Sequence, residues 1–353
     1  MAISTNNKFI ESIEKAELIF CNTAFSFLQS DFWGAFKSRF GWNAHAYKVS
    51  FNNTPDDKCK DMPLLVLSRT VFGIFSLAYV PWGPELPLYC TDKTKALLEL
   101  AHALKNLLPK KIFFIRFDPP WQKGENFILQ KPLIRGVADI QPPSTVVINL
   151  ELPMEKILEE MKSKWRYNAR LAIKKGVIVR EAKGDEISKF YELLKTTAIR
   201  DGIAIHSMDY YRELLCSSGE VNKDAIKISL YFAEHEEEIL AGIVTLFRGR
   251  EAVYLYGASS DNKRNFMAPY ALQLKAMEDA KAYGCKEYDL FGIPPNEDPS
   301  HPMAGLYKFK TGFGGSIIHR PGSLDFPCCC FIYFIFRSAE FLRLKMRNLK
   351  KQR

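Results

Sequence analysis

The stretch Tyr254-Leu255-Tyr256-Gly257-Ala258-Ser259-Ser260 leads from a predicted strand into a loop, and it lies in the middle of an ordered series of predicted elements that indicates the fold. Two strands are predicted before it, over residues 226–234 and 239–248. After it, apolar residues at helical spacing predict a helix over residues 269–283, and a further strand follows over residues 288–292. The second half of the chain is thus predicted to contain a meander of strands, a glycine–serine loop, a helix and one more strand.

The first half repeats this order in outline. Strands are predicted over residues 64–69 and 71–79, a helix over residues 91–108, and a buried strand over residues 111–120 whose carboxyl end carries Asp118. The order resembles that of acetyltransferase-like cores, in which splayed strands open a cleft for an acyl donor. The sequence therefore predicts an α+β fold and a weak structural duplication.

The breaker cluster Pro142-Pro143-Ser144-Thr145 is expected to separate two domains, since 353 residues suffice for two domains of ordinary size. The first predicted domain covers residues 1–144, and the second covers residues 145–320. The C-terminal segment 321–353 is expected to pack back on the first domain.

The chain carries 49 lysines and arginines against 40 acidic residues, a formal net charge of +9. This excess favours a polyanionic partner, such as a tRNA, a nucleotide-linked substrate or an anionic membrane surface. A merely basic globular protein is the alternative.

A predicted helical stretch over residues 153–174 and its end carry a cluster of cations that we interpret as one basic surface: Lys162, Lys164, Arg166, Arg170, Lys174 and Lys175. A solvated helix face is the other reading, but so many like charges repel one another and favour a bound polyanion.

No motif indicates a cofactor or a metal. The eight cysteines form no CxxC pair, and the chain has no P-loop, Rossmann fingerprint, GxSxG or HExxH motif.

Scattered cysteines and a polar N-terminus predict a cytoplasmic protein. The longest apolar run, residues 328–336, is too short for a membrane span of about 20 residues. The C-terminal segment is predicted to be a core helix or an interfacial amphipathic anchor with a basic tail, which would touch the inner membrane face.

The segment 306–315, LYKFKTGFGG, is the first candidate for a reaction centre. Read as a strand or tight turn, it places Lys308 and Lys310 on one side and Phe309 on the other. A lysine held in a cleft by aromatic neighbours can bind an anion or stabilise a developing negative charge. A surface strand with two solvated lysines is the alternative.

Three further residues are candidates from their positions alone. Asp118 lies at a strand end, where open α/β sheets place ligands, although from its position alone a turn-forming Asp-Pro is the stronger explanation. His206 is a candidate general base, although a histidine beside a helix start is more often a helix cap or a surface residue. On a helix it would share a face with Tyr210, four residues further on.

Several stretches together resemble one known family, the FemA/FemB/FemX aminoacyltransferases that build peptidoglycan bridges. The motifs that carry the resemblance extend over nearly the whole chain: Phe27-Leu28-Gln29-Ser30 with Trp33 and Lys37, Phe117-Asp118-Pro119, the basic helix ending at Gly176-Val177, Arg200-Asp201-Gly202, Tyr254 to Ser260, and Phe309 to Gly314. The resemblance implies two acetyltransferase (GNAT)-like domains, with the acceptor cleft in the first. It implies transfer of an amino acid from aminoacyl-tRNA to a side-chain amine of a peptidoglycan precursor, either lipid II or UDP-MurNAc-peptide.

The resemblance also implies roles for individual residues. Lys37 matches a lysine that contacts the precursor's phosphates, and Asp118 matches an acidic residue near the acceptor amine. Tyr210 and Tyr256 match tyrosines that line the cleft, and Phe309 with Lys310 matches the pair at the reaction centre.

Two departures from the family pattern carry expectations of their own. His206 stands where relatives that bind the nucleotide-linked precursor have arginine, which suggests a lipid-linked acceptor. No long helical hairpin occurs, so tRNA contacts are expected from the basic helix through Lys164, Arg166 and Arg170.

The chemistry suits these residue types, because an aminoacyl ester is already activated and needs no covalent nucleophile. Lys310 would stabilise the oxyanion, and Asp118 would hold or deprotonate the amine unless the substrate itself assists the proton transfer. Two alternatives remain: an acyl-CoA-dependent N-acyltransferase, and a non-catalytic RNA- or membrane-binding protein. An acyl-CoA-dependent enzyme would need a glycine-rich loop to bind a pyrophosphate, and the segment 261–267 contains no glycine.

Overall fold

A computed structural model describes residues 8–52, 60–71, 73–183, 185–217 and 226–351. The chain divides into two compact units, Met1–Pro143 with His319–Arg353, and Ser144–Ile318. In chain order the strands are β1 Ile10–Ala16, β2 Asn43–Phe51, β3 Asp61–Val71, β4 Phe75–Val80, β5 Ile112–Phe117, β6 Ile134–Arg135, β7 Ser144–Asn149, β8 Ile178–Glu181, β9 Lys227–His235, β10 Glu238–Arg248, β11 Glu251–Ser259, β12 Glu287–Gly292, β13 Ser316–His319 and β14 Leu324–Pro327. The helices are α1 Asp31–Ser38, α2 Lys93–Leu107, α3 Met154–Glu160, α4 Ser163–Lys174, α5 Ile187–Asp201, α6 Met208–Cys216, α7 Ala268–Tyr283, α8 Ala304–Thr311 and α9 Cys330–Lys351.

The first unit is built on a seven-stranded mixed sheet in the order β1-β2-β3-β4-β5-β14-β6. Helix α1 is capped at its N-terminus by Ser30, whose hydroxyl accepts a hydrogen bond from the Trp33 amide at 3.3 Å. Helix α2 buries an apolar face that includes Leu97, Leu100 and Leu104 in the same core as the sheet. The parallel strands β4 and β5 stay paired to their ends, where the Asp118 amide donates to the Val80 carbonyl at 3.1 Å.

The C-terminal segment joins the first unit through a buried charge cluster. The Arg116 guanidinium on β5 donates to both carboxylate oxygens of Asp325 on β14, at 2.6 and 2.9 Å. It also donates to both carboxylate oxygens of Glu340 on α9, at 3.0 Å each. Because Arg116 and Asp325 are almost fully buried, either charge left alone would carry a large desolvation cost.

Asp325→Asn is expected to lower the free energy of unfolding by about 3–5 kcal/mol, since it breaks a buried ion pair from one side. Glu340→Gln is the matched comparison, and a smaller loss is expected because the Glu340 side chain is partly exposed. Urea unfolding of both variants measures the difference. Equal losses, or none for Asp325→Asn, would contradict this account of the cluster.

The second unit contains a seven-stranded mixed sheet in the order β13-β7-β12-β11-β10-β9-β8. Strands β11 and β12 are parallel, but they pair over only three residues each, Glu251 to Val253 with Glu287 to Asp289. Beyond these pairs the two strands diverge. The predicted α+β class with two mixed sheets flanked by helices is confirmed.

Two predicted elements differ from the structure. The segment 306–315 is not a strand or tight turn, because residues 304–311 form α8. The helical stretch predicted over residues 153–174 is broken at Met161 and Lys162 into α3 and α4, since both residues adopt extended backbone angles. In the described parts of the chain, no helix combines the length and apolarity that crossing a membrane requires.

Candidate active site

A cavity of about 710 Å³ lies in the second unit beside the part of β11 that no longer pairs with β12. Side chains of α5, β11 and α8 contribute to its wall, among them Thr197, Arg200, Tyr254, Tyr256, Phe309 and Lys310. Helix α5 is tied to the end of β11, because the Ser259 amide donates to the Thr197 hydroxyl at 3.0 Å. The cavity is therefore framed by regular elements.

Lys310 is the only buried lysine in the described parts of the chain, with 6% of its surface exposed. Its Nζ donates to the Gly292 carbonyl at the end of β12 at 3.0 Å, and it lies 5.1 Å from the centre of the Tyr254 ring. Burial lowers the pKa of Lys310 from 10.5 to about 7, and the nearby Asp289 carboxylate offsets part of this effect. The amine can therefore gain or lose its proton near neutral pH.

The end of α8 is fixed by close packing on Trp165 of α4. The Trp165 indole N–H donates to the Phe309 carbonyl at 2.8 Å. A Cβ at Gly312 would lie 2.1 Å from the Trp165 ring, and a Cβ at Gly315 would lie 2.4 Å from the Val147 carbonyl. The glycines after Lys310 are thus needed for close approach, and they hold the lysine at the cavity.

The expectation that Lys308 and Lys310 share one side is wrong. Because α8 is helical, residues two apart point in directions about 200° apart, so Lys308 is exposed while Lys310 is buried. Phe309 is half-buried and packs edge-on against Tyr270 and Phe313. Only one of the two lysines therefore belongs to the site.

Tyr254 is a site residue that the sequence analysis quoted but did not assign. Its ring packs directly on Gly257, where an added Cβ would lie 1.8 Å from the Tyr254 hydroxyl oxygen. Burial raises the pKa of Tyr254 to about 12, so its phenol stays neutral and its ring faces the Lys310 amine. Its place two residues before Tyr256 in the quoted stretch was the signal that could have identified it.

His206, Tyr210 and Tyr256 lie together in the second unit. His206 precedes α6 rather than sharing a helix with Tyr210, yet its ring stacks on Tyr210 with centroids 3.9 Å apart. Burial raises the pKa of Tyr210 to about 12, although a hydrogen bond with the Tyr256 hydroxyl opposes the change. Tyr211, which the sequence analysis did not select, has its ring centroid 5.1 Å from that of Tyr256 and also lines the cavity.

Lys37 lies in the first unit among aromatic rings. Its Nζ is 5.5 Å from the Trp33 ring centre and 6.0 Å from that of Trp42, and the Arg69 guanidinium is 5.7 Å from Trp42. Burial and the charge of Arg69 lower the pKa of Lys37 to about 8. Because Lys37 and Arg69 both lie near the Trp42 ring, this part of the first unit is suited to binding an anion.

Asp118 lies in the same neighbourhood of the first unit, because the Trp42 ring is 6.2 Å from the Tyr79 ring and the Tyr79 hydroxyl donates to Asp118 at 2.5 Å. The carboxylate also accepts hydrogen bonds from the Ser323 hydroxyl and, at 3.2 Å, from the Gln141 amide. Burial raises the pKa of Asp118 to about 6, although these hydrogen bonds oppose the rise. Asp118 is therefore ionised at neutral pH, and its carboxylate already accepts hydrogen bonds from three donors.

The basic residues of α4 do not all face the solvent. Lys164 and Arg170 are exposed, as the predicted basic surface requires. Arg166 is half-buried and donates to the carbonyls of Leu158 at 3.3 Å, of Glu159 at 2.9 Å and of Met161. Its guanidinium thus caps the end of α3, where free carbonyls attract a cation.

Stability measurements can test the buried charge of Lys310. The folded-state pKa of about 7 lies below the unfolded value of 10.5, so the unfolded chain binds more protons between these pH values. Stability is therefore expected to rise with pH from about 7 towards 10.5, and Lys310→Met is expected to remove this rise. Urea unfolding of both proteins across this range measures it. An identical pH dependence in the two proteins would contradict the burial of a titrating amine.

Comparison with known proteins completes the description of the site. A family model described as the FemAB family matches residues 130–221 and 220–340. The chain is 24% identical over 374 residues to a lipid II:glycine glycyltransferase of Staphylococcus haemolyticus, covering 85% of this chain and 87% of the relative. It is 22% identical over 373 residues to the enzyme of the same name from Staphylococcus aureus, with the same coverage. A crystal structure of FemX matches with a TM-score of 0.76 and 20% identity, over 92% of this chain and 100% of that one.

Proposed function

The chain belongs to the FemAB family, and from that premise we propose that it is an aminoacyltransferase of peptidoglycan synthesis. In the proposed reaction an amino acid moves from aminoacyl-tRNA to a side-chain amine of the precursor's stem peptide, which builds the interpeptide bridge. The reaction takes place at the cytoplasmic face of the membrane, where aminoacyl-tRNA is available.

The single observation that carries the proposal is the buried amine of Lys310 at the diverging strands. An acyl transfer needs a preformed positive group where negative charge develops, in a site from which water is largely excluded. Lys310 meets this need, because its Nζ is held by the Gly292 carbonyl and lies near the Tyr254 ring. The protonated amine would stabilise the oxyanion, and Phe309 would form the apolar wall beside it.

The proposed step forms an amide and breaks an ester. The acceptor amine attacks the carbonyl carbon, the carbonyl oxygen becomes an oxyanion near Lys310, and the C–O bond to the tRNA ribose then breaks. The proton released by the amine passes to the ribose oxygen or to solvent. No covalent enzyme intermediate is needed, because the aminoacyl ester is already activated.

In this proposal the first unit binds the acceptor. Lys37 and Arg69 around Trp42 would contact its phosphates, and Asp118 would lie near the accepting amine. Because the Asp118 carboxylate already accepts three hydrogen bonds, it suits holding the amine in place better than taking its proton. Proton transfer assisted by the substrate is favoured for that reason.

A lipid-linked precursor is the proposed acceptor. The Staphylococcus relatives are named for lipid II, and His206 offers no permanent bidentate clamp for a nucleotide phosphate. Instead its ring stacks on Tyr210, and this pair lies beside Tyr256, where the three rings would contact the substrate.

The loop before α7 favours aminoacyl-tRNA over acyl-CoA as the donor. Residues 261–267 contain no glycine, and a short 3-10 turn, Arg264–Phe266, fills the place of an open phosphate-binding loop. Pro269 in the first turn of α7 removes one of the backbone N–H groups that bind phosphate at helix N-termini. The helix start is therefore poorly suited to a pyrophosphate.

Lys310→Ala is expected to reduce kcat for transfer by about 10²–10³-fold, since it removes a donor to the oxyanion. Lys308→Ala is the matched control, because it removes an exposed lysine from the same helix and should leave kcat unchanged. Transfer of labelled amino acid from charged tRNA to lipid II measures both. Unchanged transfer in Lys310→Ala would contradict the proposed role, and a wild-type protein active only with acyl-CoA would favour the alternative donor.

The double variant Lys164→Ala/Arg170→Ala is expected to weaken tRNA binding and to lower the slope of log Kd against log salt by about one per lost phosphate contact. Arg166→Ala should instead lower stability by about 1–3 kcal/mol, because it leaves the end of α3 uncapped. Filter binding and urea unfolding separate the two effects. Unaltered tRNA binding in the double variant would exclude α4 as the tRNA contact.

A further inference from the structure

Helix α9 presents an apolar face to the solvent, the reverse of an ordinary surface helix. Tyr333 is fully buried and fixes the inward side, where it packs with Phe113 and Phe114. Six large apolar side chains of α9 are each more than half exposed: Phe331, Phe334, Ile335, Phe341, Leu342 and Met346. At 3.6 residues per turn they cover an arc of about 140°, which begins about 80° from Tyr333 and includes the side opposite to it. We call this set the α9 apolar face.

The acidic and the exposed basic side chains of α9 point in different directions. Glu340 is the only acidic residue between Phe326 and Arg353, and it is turned inward onto Arg116. Arg343 and Lys345 are exposed; Arg343 lies beside the apolar face, and Lys345 lies within its arc. The sequence from Arg337 to Arg353 contains seven lysines and arginines. The outward side of α9 therefore carries positive charge with no acidic side chain to oppose it.

A groove beside the helix enlarges the apolar area. It has a volume of about 670 Å³ and is lined by Val137, Phe334, Arg337, Ser338, Phe341 and Leu342. Phe334, Phe341 and Leu342 belong to both the groove and the α9 apolar face. The 22 residues of α9 give a helix about 33 Å long, enough for an extended line of contact.

We propose that the α9 apolar face, with the exposed cations Arg343 and Lys345, binds the surface of a membrane that contains anionic lipids, with the helix lying in the plane of the interface. Apolar side chains enter the boundary between headgroups and acyl chains, and Arg343 and Lys345 contact lipid phosphates, as in interfacial amphipathic helices. Charge complementarity selects this occupant, because a purely apolar partner would leave these two cations without a counterpart. The proposal concerns α9 alone and does not depend on the transfer reaction.

Vesicle flotation of the full chain, with no substrate present, tests the proposal. The protein is expected to float with phosphatidylcholine vesicles that contain phosphatidylglycerol and to remain unbound with phosphatidylcholine alone. Arg343→Gln and Lys345→Gln should each lower the partition coefficient about fivefold. Phe334→Ser/Phe341→Ser should lower it by on the order of tenfold per ring. The control Leu88→Ser/Ile199→Ser removes two exposed apolar side chains elsewhere and should bind like the wild type.

Thermal unfolding checks that each variant is folded, and sedimentation velocity reports self-association. Failure of the wild type to float with anionic vesicles would overturn the proposal, as would equal binding to neutral vesicles. A wild-type dimer that Phe334→Ser/Phe341→Ser converts to a monomer would also overturn it and would assign the face to a second copy of the chain. Because the assay contains neither tRNA nor precursor, its outcome is independent of the proposed transferase activity.

Discussion

The separation of β11 from β12 after three paired residues is the constraint on which the candidate active site depends. If the strands stayed paired, the Gly292 carbonyl would bond within the sheet and would not be available to the Lys310 amine. The opening also exposes the faces of Tyr254 and Tyr256 to a cavity. Glycines complete the arrangement, because Gly257 leaves room for the Tyr254 ring and Gly312 lets α8 pack directly on Trp165.

The first unit uses the same order of strands and helix without the opening. There β4 and β5 remain paired, and the Asp118 amide extends the pairing to the Val80 carbonyl. This unit instead carries a row of polar and aromatic side chains, from Lys37 through Trp42 and Tyr79 to Asp118. Two related architectures therefore carry different surfaces, one suited to an anionic acceptor and the other to an acyl transfer.

Local patterns predicted much of the fold, because hydrophobic spacing and capping residues act over a few positions. The apolar spacings that predicted α2 and α7 are examples. The segment around Lys310 was misjudged because its alternation of lysines and aromatics imitates a strand, whereas packing on Trp165 holds it as a helix. Contacts created by the break between α3 and α4 were also hidden, because a continuous helix over residues 153–174 would not let the Arg166 guanidinium cap α3. The likeness to the FemA/FemB/FemX family is confirmed by the family match, and the individual roles of the site residues stay predictions.

The central claim is that the cavity beside Lys310 receives the aminoacyl end of the donor. A crystal structure of the full chain with a short RNA mimic of the tRNA 3′ end, joined to its amino acid by a non-hydrolysable amide, tests this claim most directly. The account predicts that the aminoacyl group lies in the cavity, with its carbonyl oxygen within hydrogen-bond distance of Lys310 Nζ and its side chain near Phe309 and Tyr254. Binding of the aminoacyl group elsewhere, with Lys310 still covered by protein alone, would contradict it.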